Sequence, residues 1–463
     1  MERASDLPPA VPAEPQPMPT RKKIWADILR LSWPCAIELM LASLISVITM
    51  ALVSSLGKEA VSAVGITNQP VMIPNVILQA FSVGGTALVA RSLGQKDFTL
   101  ARKACEQTMF LSLVFSAVLS VVMYFFGGTF ILWMGATPDY YPLAEMYMKY
   151  CAIGITFQSV STVSAAVLRG AGRTKLSMYF NVSANITNVL VGLVLINGLG
   201  PIPAMGIVGA AIAQLVAKIV GCVYALVILF RSDDLSIRPQ IRDIFRADLT
   251  IIKRICRIGT SSALEQLALR VGIIMFTIYI VRLGTAEYAA HNIAGSIHTY
   301  VVNLGQAVSI ALVSLVGQNL GAKRPDIAEK YFTESITICF LISLVMMAPL
   351  LIIPEQIAMI FTREPDVVAN IVMALRILAF FVLAQILQIA LCGGLRGGGD
   401  TKWPLISTMV GVLGGRMVIG YVLIVALNMG LAGAWWCWLI DQTARAVIIY
   451  FRFRSGKWKT VKV

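Results

Sequence analysis

A chain of 463 residues, 57% hydrophobic and 13% charged, with a mean hydropathy of +0.78, would leave far too much apolar surface in water. That excludes an ordinary soluble domain and points to a polytopic membrane protein. The net charge of +14 calls for no nucleic acid partner, because most of the surplus falls in loops on one side of the membrane, where it attracts anionic lipid.

The first twenty residues hold six prolines and no apolar core, which reads as a disordered tail over 1–24 rather than a signal peptide. Apolar segments follow near 31–55, 66–90, 107–130, 143–168, 176–198 and 205–230. Each is close to the roughly 20 residues a spanning helix needs. Together they make an N-lobe over 25–230. A polar, basic linker over 231–256 leads to a C-lobe over 257–452, with segments near 258–281, 290–316, 332–353, 367–393, 403–427 and 430–451. Residues 453–463 form a second basic tail. Eight scattered cysteines without a CxxC pair offer neither a metal site nor a disulfide framework.

The two lobes are copies of one unit. Leu168-Arg-Gly-Ala-Gly-Arg-Thr-Lys175 returns as Leu395-Arg-Gly-Gly-Gly-Asp-Thr-Lys402, an offset of 227 that also carries Glu38 onto Glu265, Gln79 onto Gln306 and Gln158 onto Gln385. These glycine-rich stretches lack the GxxxxGK[ST] spacing of a phosphate loop. They read as tight reversals after a membrane helix, with glycines supplying positive φ and Arg and Lys holding the helix ends at headgroups. Counted by loop, 29 Lys and Arg lie on the side of the N-terminus, against only Lys58, Arg282 and Arg363 opposite. Both termini are therefore expected in the cytoplasm. An even number of spans per half makes the halves run in the same sense. The predicted fold is an all-α integral membrane protein, twelve transmembrane helices in two parallel six-helix repeats around a central cavity.

Several stretches carry a family likeness: the two turns, the Leu93-Gly-Gln95 and Leu315-Val-Gly-Gln-Asn-Leu-Gly-Ala322 segments, Gly284-Thr-Ala-Glu-Tyr-Ala-Ala-His-Asn-Ile293, and Phe453-Arg-Ser-Gly-Lys-Trp458. In this order, on a plan of six and six helices, the chain resembles the multidrug and toxic compound extrusion (MATE) transporters over roughly residues 25–460. The resemblance implies a secondary active antiporter, not an enzyme, that exports bulky, often cationic, amphipathic compounds in exchange for H⁺ or Na⁺. It implies no cofactor beyond that coupling ion, and a monomer in a bacterial-type inner (plasma) membrane among lipid. A lipid-linked precursor flippase of the same superfamily is the alternative. Two positions depart from the family's pattern: Thr49 and Gly192 stand where relatives often carry aspartate. The coupling carboxylate is then expected elsewhere.

Intramembrane acids are expensive, which makes each a candidate. Glu38 and Glu265 sit at equivalent places near the starts of the first and seventh segments. Glu265 falls where many MATE proteins carry an essential glutamate, and it could hold Na⁺ as well as H⁺. Asp441 and Arg445, four residues apart on one helical face, read either as a buried ion pair or as a proton switch. Arg270, Arg376 and Arg416 could offset C-lobe carboxylates, while Lys149 and Arg376 could instead snorkel outward. Cavity candidates are Asn185 and Asn188, which share a face with Asn181, the amides Gln79, Gln306 and Gln385, and His298. Trp435, Trp436 and Trp438 suit an apolar pocket for flat cargo or an interfacial anchor.

Overall fold

Apolar stretches this long leave the backbone no partner but itself, and the chain answers with helices throughout. The computed structural model describes residues 17–198, 203–231 and 237–461. Among them the first lobe holds α1 (Arg21–Ser54), α2 (Lys58–Gly94), α3 (Phe98–Trp133), α4 (Tyr141–Gly170), α5 (Thr174–Asn197) and α6 (Gly206–Arg231). The second holds α7 (Leu249–Val281), α8 (Thr285–Gly321), α9 (Pro325–Ile352), α10 (Pro365–Gly397), α11 (Lys402–Ala426) and α12 (Gly430–Arg454). Short helical turns at Ile241–Ile244 and Pro354–Met359 complete the described helices around them. Each expected span lies on one of the twelve long helices.

Eleven of the twelve are long and apolar enough to cross a membrane. The other, α12, is made more polar by Asp441, Gln442 and Arg445, all of them buried. It shelters its charges inside the second lobe, as a helix in lipid must.

The expected tail over 1–24 falls mostly outside the described residues, and α1 begins within it, at Arg21. The linker is shorter than expected on its far side. Asp248 accepts from the backbone N–H groups of Thr250 (3.0 Å) and Ile251 (3.3 Å), so α7 starts at Leu249. The last residues are docked. Trp458 is fully buried, its indole N–H donates to Phe453 O at 3.0 Å, and its ring lies 4.8 Å from that of Phe332.

The repeated turns differ from the sequence reading in one respect. Positive φ falls on Gly172 (75°) and Gly399 (83°), whereas Gly170 and Gly397 close the helices α4 and α10. What the latter two provide is closeness: a Cβ on Gly170 would lie 2.8 Å from Thr86 O, and one on Gly397 2.5 Å from Val313 O. Gly397→Val is therefore expected to sharply lower the yield of monodisperse protein, read by size-exclusion chromatography. A normal yield would mean that α8 and α10 can part without cost.

The lobes meet only in the half of the bundle that carries the chain ends, as far as the polar contacts of the described residues go. There Gly94 packs on the Gln318 backbone and Gly321 on that of Arg91. Gln318 Nε2 donates to Gly170 O at 2.9 Å, and Asn303 Nδ2 donates to Ser43 Oγ at 2.9 Å. Arg91 of the first lobe reaches Val461 O, in the docked tail, at 2.9 Å. Toward the other end, Gly65 of α2 and Gly295 of α8 have nothing within 4 Å of where a side chain would begin. Among the described residues, the polar contacts that join the lobes gather toward the terminal end.

One helix breaks the symmetry. α11 is π-helical over Val410–Ile419 and Val422–Ala426, while its counterpart α5 is α-helical throughout. A π-helical stretch re-aims side chains relative to an α-helix and often marks a functional site.

Candidate functional site

A carboxylate in a low-dielectric interior needs a counter-cation and hydrogen bonds. The structure supplies both twice. In the first lobe Glu38 is paired with Arg169 from the end of α4, and it accepts from Asn181 Nδ2 at 2.8 Å and Ser177 Oγ at 3.4 Å. In the second, Arg396 Nη2 donates to both oxygens of Glu265 at 2.8 Å, and Thr408 Oγ1 donates to one of them at 3.4 Å. Arg169 and Arg396 belong to the repeated turns, where the sequence reading sent their charge to the headgroups. They turn inward instead. A signal was available, since each Glu–Arg pair is separated by 131 residues. Asn181 and Thr408 also share the 227 offset.

Asp441 and Arg445, which the sequence left as either an ion pair or a proton switch, do not bridge each other. Asp441, fully buried, accepts from Arg416 Nε at 2.7 Å, and Arg445 Nη2 turns to Thr408 Oγ1 at 2.7 Å. The reason is the neighbouring helix. The π-helical stretch carries Arg416 toward α12, and Gly411 lets Asp441 and Arg445 pack against bare backbone: a Cβ there would lie 2.5 Å from Arg445 Cδ. Thr408 thus links Glu265 to Arg445, giving the second lobe a polar chain from Arg396 to Arg445.

This chain borders a cavity of about 360 Å³, lined in part by Glu265, Arg396, Arg416, Arg445 and Arg270. His298, Gln306 and Gln385 line it as well, with His298 Nε2 3.2 Å from Gln385 Oε1. Trp438 forms part of the wall, 4.7 Å from the His298 ring and 5.4 Å beneath the Arg416 guanidinium. Trp435 is fully buried, so neither indole is an interfacial anchor. Among the described residues no group of three or more His, Cys, Asp or Glu is placed to hold a metal ion.

The first lobe has its own cavity, of about 310 Å³. Asn185 and Asn188 line it, together with Asn181, Asn75, Gln158 and Gln214. Gln79 is exposed and lines neither cavity. The residue that sequence reasoning passed over is Lys218 on α6, which also lines the first cavity. Its side chain crosses α4 at Gly154, where a Cβ would lie 2.8 Å from Lys218 Cδ. Lys149 is paired with Glu145 at 2.9 Å, and Arg376 lines a separate recess with Glu355 and Arg363.

The arrangement offers one paired carboxylate, Glu265, at the edge of the second cavity and an amide-lined cavity with Lys218 in the first lobe. Comparisons with known proteins agree with that picture. The family model described as MatE matches residues 34–194 and 262–422, one match in each lobe. The chain is 24% identical to a protein of Thermotoga maritima called "Probable multidrug resistance protein NorM", over 94% of each chain. It is also 24% identical to the "Uncharacterized transporter YisQ" of Bacillus subtilis, over 93% of this chain and 94% of that one. Among solved structures, a MATE protein in the straight conformation superposes with a TM-score of 0.87 at 25% identity, covering 95% of this chain and 98% of that chain.

Proposed function

Because the chain belongs to the MatE family of multidrug efflux transporters, we propose that it is a secondary antiporter that exports bulky amphipathic compounds in exchange for H⁺ or Na⁺. The observation that carries this reading is Glu265, held by Arg396 and Thr408 at the edge of the second cavity. A carboxylate shared between a guanidinium and an incoming ion can change partners as the lobes rock. With Arg396 bound, it holds no ion. With an ion bound, Arg396 is released into the cavity, and that exchange ties ion movement to the shape of the lobe. The Lys and Arg distribution supports a cytoplasmic terminal end, and lobes joined at that end fit an outward-facing step of an alternating-access cycle. Both Glu–Arg pairs are complete within one chain, so a monomer suffices as the working unit. The flippase alternative is not favoured, since the relative from Thermotoga maritima matched over almost its whole length is named for multidrug resistance.

The test is transport in proteoliposomes with an H⁺ gradient and a Na⁺ gradient imposed in turn. One of the two is expected to drive expulsion of an amphipathic dye. If neither does, the antiport reading fails.

A further inference from the structure

Every acid within the described spanning helices that the site uses is already neutralised. Glu38 is held by Arg169, Glu265 by Arg396 and Asp441 by Arg416. The charges left over are positive. In the second cavity Arg270 and Arg445 have no carboxylate within ion-pair distance among the described residues. In the first, Lys218 lies among the amides with no acidic side chain in the lining at all. The nearest acid on the helix it crosses, Glu145, is taken by Lys149 at 2.9 Å.

We propose that the cargo is an amphipathic anion whose acid group, a carboxylate or sulfonate, is bound by Lys218 in the first cavity. This rests on the carrier reading above, and it departs from the cationic cargo that the family likeness implies. A partly buried ammonium group is stabilised by a counter-anion that reaches it, and the lining of this cavity supplies none. The amides around it suit the task. Gln214 Oε1 already accepts from Cys151 Sγ at 3.2 Å, and Asn75 Oδ1 from Gln158 Nε2 at 3.2 Å, so those acceptor oxygens are engaged by the protein. Asn185 and Asn188 line the same cavity, and among the described residues their amide N–H groups meet no acceptor, which leaves them able to donate to an oxyanion. Gly154 leaves room for the lysine to lie across α4 rather than withdraw toward the lipid. A cationic cargo, by contrast, would have to displace a guanidinium from one of the three acids before it met a negative charge.

The experiment compares two xanthene dyes of opposite charge, anionic fluorescein and cationic pyronin Y, on the purified full-length chain. Fluorescence polarisation is expected to show fluorescein bound more tightly than pyronin Y by the wild-type protein, a comparison that needs no variant. Lys218→Gln should weaken fluorescein by about tenfold without weakening pyronin Y, while Lys218→Arg retains fluorescein. The inference is overturned if fluorescein shows no preference over pyronin Y, or if its preference survives in a folded Lys218→Gln protein. Transport in proteoliposomes separates the two readings. Pyronin Y driven by an ion gradient, with fluorescein neither bound nor moved, would leave the carrier standing and remove the anion. Fluorescein bound through Lys218 but driven by no gradient would do the reverse.

Discussion

Glu265→Gln is expected to bring ion-driven efflux down to the level of protein-free liposomes while the protein still folds. The amide keeps the shape of the side chain and can still accept from Arg396 and Thr408, but it neither exchanges a proton nor offers a cation a full charge. Some loss of melting temperature will accompany the change, since Arg396 is left without its counter-charge. The loss is limited because Arg396 lines the cavity, where water can solvate it. Adding Arg396→Gln should recover melting temperature without recovering transport, which separates a coupling role from a packing role. Glu38→Gln should act more mildly, for Glu38 does not line the first cavity. Full efflux by the Glu265→Gln protein would remove that residue from the mechanism.

The second large effect concerns stability. Arg416→Met strands the fully buried Asp441 and is expected to cost about 3–5 kcal/mol, seen as a lower melting temperature in detergent, whereas Asp441→Asn should cost less because Arg416 lines the cavity. The double variant Asp441→Leu/Arg416→Met removes both charges and should recover most of that loss. Asp441→Leu/Arg445→Met should not, because it leaves Arg416 without its partner. Equal rescue by the two double variants would place Arg445, not Arg416, against Asp441.

How these residues pair was only partly legible in the sequence. Helix number, the two lobes and their common sense follow from apolar runs, the 227 offset and loop charge, because a bilayer imposes those patterns on any chain that crosses it. Glu38 and Glu265 stand out because a charge in such a run is costly wherever it points. Their partners do not, since Arg169 and Arg396 lie in turns whose composition fits headgroup anchoring equally well. Spacing on one helix suggested Asp441 with Arg445, and the π-helical stretch of α11 defeated it: periodicity along a single helix is blind to what a neighbour brings across. Lys218 was legible only through the repeat, since the 227 offset carries it onto Arg445. A lone lysine on an apolar helix fits lipid-side snorkelling until Gly154 is seen to make room for it.

Each Glu–Arg pair closes within its own lobe, at the same separation along the chain. Such a pair was whole before the ancestral gene doubled, and a six-helix forebear associating with itself would have owned two identical sites and two identical cavities. Doubling then freed the copies to diverge. A cation stands at the same place in both, Lys218 in one and Arg445 in the other, whereas Arg416, Asp441, Trp438 and the π-helical stretch belong to the second copy alone. The carboxylate and its guanidinium are the inheritance of this chain, and the difference between its lobes is the younger layer.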